Sequence, residues 1–311
     1  MDHLTEEFVP SKQELRDTLS PWVIRQNDVG SFRWRYIRAT KFASYQAKKA
    51  ARHASSSILP WVRSRAKYRT TEFVDTHYSQ TWSRYNWPNP DEVPSRGNTV
   101  YLEWDNFGYE ALRSGLVRLH LLGIAKFIRS TTPRKVLEIG AGPGINLLVL
   151  GACFPEIEFT GVELTADGVA MAKSAQNDRL PAGIRSFAPV EIKDLSAHKS
   201  VDFNQCDATR LPFADNAFDL VFSRLAIEQM EQVRDQALAE IRRVSKHFAL
   251  FVEPFADFND EPLMRLATTT KNYISLSCSD LPQYGFDLQA TFSDWPQKIT
   301  NGAGLVVCTT N

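Results

Sequence analysis

The sequence predicts an α/β fold: a mostly parallel sheet with helices on both faces, preceded by a helical basic arm. Three observations predict it. From Lys135 onward, short apolar runs alternate with helix-like segments, the order that builds parallel sheets from crossover units. The first of those runs ends in closely spaced glycines at Gly140, Gly142 and Gly144. The first hundred residues show no such alternation.

Within the arm, Ser11 to Leu19 reads as a short helix. Phe32 to Ile58 reads as a basic helix, since Ala39, Ala43, Ala47, Ala50 and Ala51 favour that conformation. A second aromatic and basic stretch, Trp61 to Trp87, closes in a Pro-rich turn over Asn86 to Pro94. Tyr109 to Arg129 follows as a helix whose apolar face is Leu112, Leu116, Leu119, Leu122 and Phe127. The expected division is a mainly helical arm over 1–107 and a ligand-binding domain over 108–311.

In that domain the predicted strands are Val136 to Ile139, Glu158 to Val162, Val201 to Gln205, Phe218 to Phe222 and Phe248 to Val252. Helices are expected from Ile145, over Gly168 to Ala175 and over Gln232 to Val244. Phe286 to Phe292 and Gly304 to Cys308 are extended, and the turn-rich link between them allows an antiparallel pair. The segment from Asn177 to Ser200 falls at the amino end of the strands, away from the ligand crevice.

Charge is balanced overall but not along the chain. Residues 1–134 carry 21 Lys and Arg against 13 Asp and Glu, whereas residues 135–311 carry 15 against 23. Eleven basic residues and no acidic one lie between Arg33 and Arg69. This patch is open to two readings: a surface for nucleic acid, membrane or a phosphorylated substrate, or one that docks on the chain's own acidic half or on a partner subunit. Cys153, Cys206, Cys278 and Cys308 form no CxxC pair and no cluster with histidine, so neither a disulfide framework nor a zinc ribbon is expected, and no other metal site. No signal peptide and no membrane span are expected, and the chain is read as cytoplasmic.

The chemistry concentrates at V-L-E-I-G-A-G-P-G, Val136 to Gly144. Glycine is needed where backbone turns tightly or lies against a ligand. A dinucleotide fingerprint would require glycine at 145, where the chain has Ile145, which counts against a nicotinamide oxidoreductase.

Glu138, Gly140, Gly142 and Gly144 in this arrangement resemble the first motif of class I S-adenosylmethionine-dependent methyltransferases. G-V-E-L places Glu163 at the end of the second strand, where a carboxylate accepts ribose hydroxyls. Q-C-D-A, with Asp207 and Ala208, resembles the family's adenine-binding motif. D-N-A-F-D-L-V-F-S resembles its fourth motif, whose last residue, Ser223, joins the cofactor contacts that the resemblance implies. The resemblance runs in order from Glu138 to Cys308 and implies a seven-stranded sheet with a reversed last strand, order 3-2-1-4-5-7-6. It also implies S-adenosylmethionine as cofactor, held by Glu138 at the ammonium (through water), Glu163 at the ribose and Asp207 with Ala208 at the adenine.

Methyl transfer to oxygen usually needs a base within hydrogen-bond reach. Glu253, after the fifth strand, is the first candidate, with Glu228, after the fourth, as the second. Many relatives carry a Glu-His pair at the latter place, but here Gln229 follows Glu228. His77, with Tyr78, Trp82, Tyr85, Trp104 and Asn106, is a candidate for a lid over the cofactor. No N-P-P-Y or D-P-P-Y motif follows the fourth strand, so amino-group acceptors such as adenine lose weight. The expected acceptor is a small molecule or glycan, anionic ones included, methylated on oxygen. Alternatives are an RNA or protein methyltransferase docking through the basic arm, and a catalytically silent partner subunit of the same fold; a homodimer is admissible.

Overall fold

A computed structural model describes residues 8–58, 70–82, 98–177, 185, 187–273 and 275–310. Tyr85, the Asn86 to Pro94 turn and the basic residues from Arg63 to Arg69 lie outside the described residues.

Helix α1 (Lys12–Leu19) opens on a capping box: the Ser11 hydroxyl accepts from Glu14 N–H and the Glu14 carboxylate accepts from Ser11 N–H. Strand β1 (Val23–Asp28) and helix α2 (Phe32–Ile58) follow, then helix α3 (Thr71–Trp82). Strands β2 (Thr99–Trp104) and β3 (Phe107–Leu112) form a hairpin leading into helix α4 (Arg113–Thr131). Alongside its helices the arm carries strands, which the sequence reading did not anticipate. Its strands order as β1-β3-β2 within a second, antiparallel sheet, and β3 lies across the expected 107/108 boundary. The signal is present in T-V-Y-L-E-W, where Val100, Leu102 and Trp104 are buried and their neighbours half-buried, a period of two. Asp105 and Asn106 both take positive φ, 50° and 64°, the requirement of a two-residue type I′ hairpin. The predicted helix from Tyr109 accordingly begins only at Arg113.

Helix α2 lies on this sheet. Trp34 is fully buried against Gly108, where a Cβ would come within 2.3 Å of the indole. Its Nε1 donates to Glu103, which also pairs with Arg38; Arg38 reaches Glu261 as well. Arg33 makes a two-pronged contact with Glu110, at 2.9 and 3.1 Å. Part of the basic stretch thus docks on the chain's own carboxylates, while Arg35, Lys48 and Lys49 remain exposed.

The main sheet contains β4 (Lys135–Ile139), β5 (Glu158–Glu163), β6 (Asp202–Gln205), β7 (Phe218–Arg224), β8 (Ser245–Glu253), β9 (Asp287–Phe292) and β11 (Gly304–Thr309). Its order is β6-β5-β4-β7-β8-β11-β9, with β11 antiparallel to both neighbours. This is the order the resemblance implies. Helices α5 (Ile145–Cys153), α6 (Ala166–Asn177), α7 (Arg234–Val244) and α8 (Pro262–Lys271) complete the domain. Alternation along each strand fills both faces. Val136, Leu250, Val252, Leu305 and Val307 join the core under α4 and α5. Leu137, Ile139, Ala249, Phe251 and Val306 join Leu238 and Ile241 of α7 on the other face. Between β9 and β11 the chain leaves the sheet, and a two-residue strand, β10 (Gln297–Lys298), pairs with β2 and joins the two sheets. No described helix is long and apolar enough to cross a membrane.

Candidate active site

The carboxyl ends of β4, β5 and β7 open onto a cavity of about 370 Å³. Gly140 to Pro143 form its floor, Glu163, Asp207 and Ala208 one flank, and Arg224 to Ala226 with Glu228 the other. Helix α3 roofs it with Thr71, Val74, Tyr78, Thr81 and Trp82, which recur at three- and four-residue spacing along one helix face.

The three glycines do different work. All take positive φ, 71° at Gly140, 53° at Gly142 and 79° at Gly144, a region open chiefly to glycine. A Cβ at Gly140 would meet the Ala226 Cβ at 2.5 Å. One at Gly142 would meet the Trp82 ring at 3.0 Å. Gly144 does not line the cavity; a Cβ there would strike Phe203 at 2.6 Å and Ala172 at 2.8 Å, so its role is to seat α5 against the sheet.

Two carboxylates set the loop. Glu163 Oε2 accepts from Gly142 N–H at 3.0 Å, and Oε1 accepts from the Thr165 N–H at 3.1 Å and hydroxyl at 2.7 Å. Each oxygen is thus anchored on its protein side while the residue still lines the cavity. Glu138 is fully buried beneath the loop and accepts from Asn146 Nδ2 at 2.6 Å. Its Oε2 and the Asn146 Oδ1 are buried with no hydrogen-bond partner among the described residues. Asn146, not Glu138, reaches the cavity wall. Burial pushes the Glu138 carboxyl up to about 8, against smaller downward pulls from the Asn146 hydrogen bond and from Arg224. Asp207 lines the cavity beside Ala208, with its Oδ1 accepting from Thr209 N–H at 2.9 Å.

The candidate bases separate. Glu253 is buried and does not line the cavity. Its Oε1 accepts from Ser223 Oγ at 2.9 Å, Ala226 N–H at 2.9 Å and Ile227 N–H at 3.2 Å, and its Oε2 from Glu228 N–H at 3.2 Å. It is a positioning residue for the loop after β7. Ser223 is likewise turned to Glu253 and away from the cavity. Glu228 does line it, with Oε1 accepting from Gln229 Nε2 at 2.6 Å. His77 lies on the exposed side of α3, stacked on Phe73, and Trp104 is buried in the hairpin with its Nε1 on Asp294. Of the expected lid, Tyr78 and Trp82 meet the cavity. Residues that the sequence reading did not single out also line it: Arg113, Asn146, Arg224, Tyr273 and Lys298. Asn146 follows the glycine motif directly and was within reach of sequence reasoning; Lys298 arrives only through the β10–β2 pairing.

Burial of Glu138 and Glu253 gives a pH prediction. Both carboxyls titrate higher in the fold than their ordinary 4.5, at about 8 and about 7. The stability each contributes is full below about pH 4.5 and is lost as pH rises through the folded value. His120, held below its ordinary range by burial and by Arg224 and Lys298, works in the opposite direction, as does Lys298. The comparison of variant with wild type isolates the effect. Glu138→Gln is expected to gain melting temperature relative to wild type steadily from pH 5 to pH 8. A difference that stays constant with pH contradicts the buried-carboxyl reading.

Residues 137–252 match the family model described as a methyltransferase domain. The malonyl-[acyl-carrier protein] O-methyltransferase of Geobacter sulfurreducens is 33% identical over 134 residues, 43% of this chain and 42% of that protein. The tRNA (guanine-N(7)-)-methyltransferase of Paracoccus denitrificans is 28% identical over 167 residues, 51% of this chain and 61% of that protein. The chain spans about two-fifths of the length of the first curated relatives it matches. Among solved structures the [4+2]-cyclase SpnF superposes with a TM-score of 0.53 at 16% identity, covering 78% of this chain and 96% of SpnF, a likeness of fold alone.

Proposed function

We propose that this chain, which carries a class I S-adenosylmethionine-dependent methyltransferase domain, moves a methyl group from S-adenosylmethionine to an oxygen of a small-molecule or glycan acceptor. The observation that carries the reading is one roofed cavity with the Gly140 loop as its floor, Glu163 and Asp207 on one flank and Glu228 on the other. The family implies the cofactor, and the residues fit it. The unpartnered Glu138 Oε2 and Asn146 Oδ1 under the glycine loop are acceptors awaiting a donor, as an ammonium provides. Gly140 and Gly142 leave backbone open to the cavity where a Cβ would collide. Glu163 is the acceptor for ribose hydroxyls, and Asp207 with Ala208 for the adenine edge.

The bound cofactor supplies an activated methyl group for in-line displacement. The protein's tasks are then to hold the acceptor in line, exclude water and take one proton. Glu228 is the carboxylate on the acceptor flank and the candidate base, and Glu253 fixes it through its backbone N–H. Glu228→Gln is expected to lower kcat about 100-fold or more while leaving S-adenosylhomocysteine affinity within a few-fold. Loss of cofactor affinity in parallel with kcat would mark Glu228 as a cofactor contact instead.

The enclosure by α3 favours a small acceptor, and the Geobacter relative is named for O-methylation. A second reading, RNA docking along α2, has its own support in exposed Arg35, Lys48 and Lys49 and in the Paracoccus relative's tRNA substrate. Radiolabelled methyl transfer into fractionated cell extract separates them. Label in the small-molecule, lipid or glycan pool supports the first reading; label in RNA or protein replaces it.

A further inference from the structure

Lys298 reaches the cavity from the second sheet, on β10 opposite Leu102 of β2. Around its ammonium stand charged groups from four segments. Arg113 comes from the start of α4, Arg224 from the end of β7, Lys271 from the end of α8 and Glu228 from the turn after β7. His120 lies behind them on α4, ringed by Leu116, Leu225, Lys298 and Asn301, with its Nδ1 buried and unpartnered among the described residues. Lys271 is tied to Asn301 Oδ1 at 2.9 Å and lies over the Tyr273 ring. Among the described residues acting on Lys298, cations outnumber carboxylates three to one.

Like charges crowded into a half-buried wall repel strongly, because protein and cavity screen them less than water does. The fold holds this cluster together by backbone pairing and by α4, so the repulsion is built in. An anion relieves it, and two guanidiniums beside an ammonium suit a carboxylate or phosphate. Position separates this wall from the adenosine anchors. Glu163 and Asp207 follow β5 and β6, on one side of β4, whereas Arg224, Lys271 and Lys298 come from β7 and beyond, on the other.

We infer that Arg113, Arg224 and Lys298 form the acceptor's anchoring subsite, and that the acceptor carries a carboxylate or phosphate group. This rests on the methyltransferase reading above, which assigns this flank to the acceptor. A consequence is proton uptake. Burial first, and the cation cluster after it, push Lys298 down to about 7, so at pH 8 the amine is largely neutral and an arriving anion recharges it.

The test is calorimetry at pH 8, in two buffers of different ionisation enthalpy, on protein saturated with S-adenosylhomocysteine. Malonate and inorganic phosphate are the probes. Wild type is expected to bind at least one of them with uptake of close to one proton. Lys298→Met is expected to weaken that binding about 10- to 100-fold and abolish the uptake, with S-adenosylhomocysteine affinity unchanged. Lys298→Arg keeps the charge, and is expected to bind the anion without proton uptake. Two results overturn the subsite: neither probe binding to the saturated protein, or Lys298→Met weakening S-adenosylhomocysteine instead of the probes, which would give these cations to the cofactor's carboxylate. Failure of S-adenosylhomocysteine itself to bind wild type would fall on the methyltransferase reading; probe binding would then be measured on the cofactor-free protein, where no binding of either probe, or equal binding by Lys298→Met, would overturn the anion subsite.

Discussion

Glu163→Ala is expected to lower the affinity for S-adenosylhomocysteine by about 100-fold or more, since two hydrogen bonds to a charged acceptor contribute roughly 1.5–3 kcal/mol each. The loss has two sources. The carboxylate lines the cavity at the end of β5, where it is placed to accept ribose hydroxyls. It also holds the Gly142 N–H and the Thr165 N–H and hydroxyl, so its removal loosens the glycine loop. Glu163→Gln divides the two: the amide retains one carbonyl acceptor and much of the shape, and is expected to fall between alanine and wild type. Calorimetric affinities for the three proteins, with matching melting curves, check the order. Equal affinities in all three would remove Glu163 from the cofactor site.

Glu253→Ala is expected to destabilise the fold by about 3 kcal/mol or more, on the scale of buried donors losing their acceptor. Four donors converge on this carboxylate: the Ser223 hydroxyl and the N–H groups of Ala226, Ile227 and Glu228. Ser223, Ile227 and Glu228 are buried, so water cannot replace the lost acceptor without entering the core. The same loop carries Glu228 to the cavity, so catalytic turnover is expected to drop with stability even though Glu253 does not line the cavity. Denaturant unfolding measures the first effect and turnover at low temperature, where the variant is folded, measures the second. A variant as stable as wild type would contradict the loop-fixing role.

Much of the main sheet was legible because parallel strands covered on both faces appear as short apolar runs, and the glycine motif marks where the first of them ends. The proposed cofactor flank followed from that register: Glu163 and Asp207 sit at or just past strand ends, where the ligand crevice of such sheets lies. Two kinds of feature escaped. The second sheet is built from half-buried strands, whose alternation in T-V-Y-L-E-W is weaker evidence than a continuous apolar run, although Asp105-Asn106 carried a hairpin signal. Lys298 owes its place to a two-residue pairing with a strand nearly two hundred positions earlier, which no local pattern encodes. In sequence Glu253 ranked ahead of Glu228, both being read as following strands at the same end of the sheet. Strand parity separates them: Glu253 lies two residues after Phe251 and so on the same face, turned under the loop, whereas Glu228 is carried past the strand end on a short 3₁₀ turn and lines the cavity. His77 was read as a lid candidate; it lies on a helix over the cavity but falls between the positions at 74, 78 and 81 that face inward.

The claim that organises all of this is that the cavity over β4 and β5 holds S-adenosylmethionine. Its most direct test is a calorimetric titration of S-adenosylhomocysteine into wild type and Gly140→Val. Valine at 140 would need a φ near 71° and would drive its Cβ to 2.5 Å from the Ala226 Cβ, closing the approach to the backbone. One molecule bound per wild-type chain, with binding lost in a Gly140→Val protein that still gives a native circular dichroism spectrum, is the predicted result. Absence of binding to wild type, or equal binding by folded Gly140→Val, would contradict it.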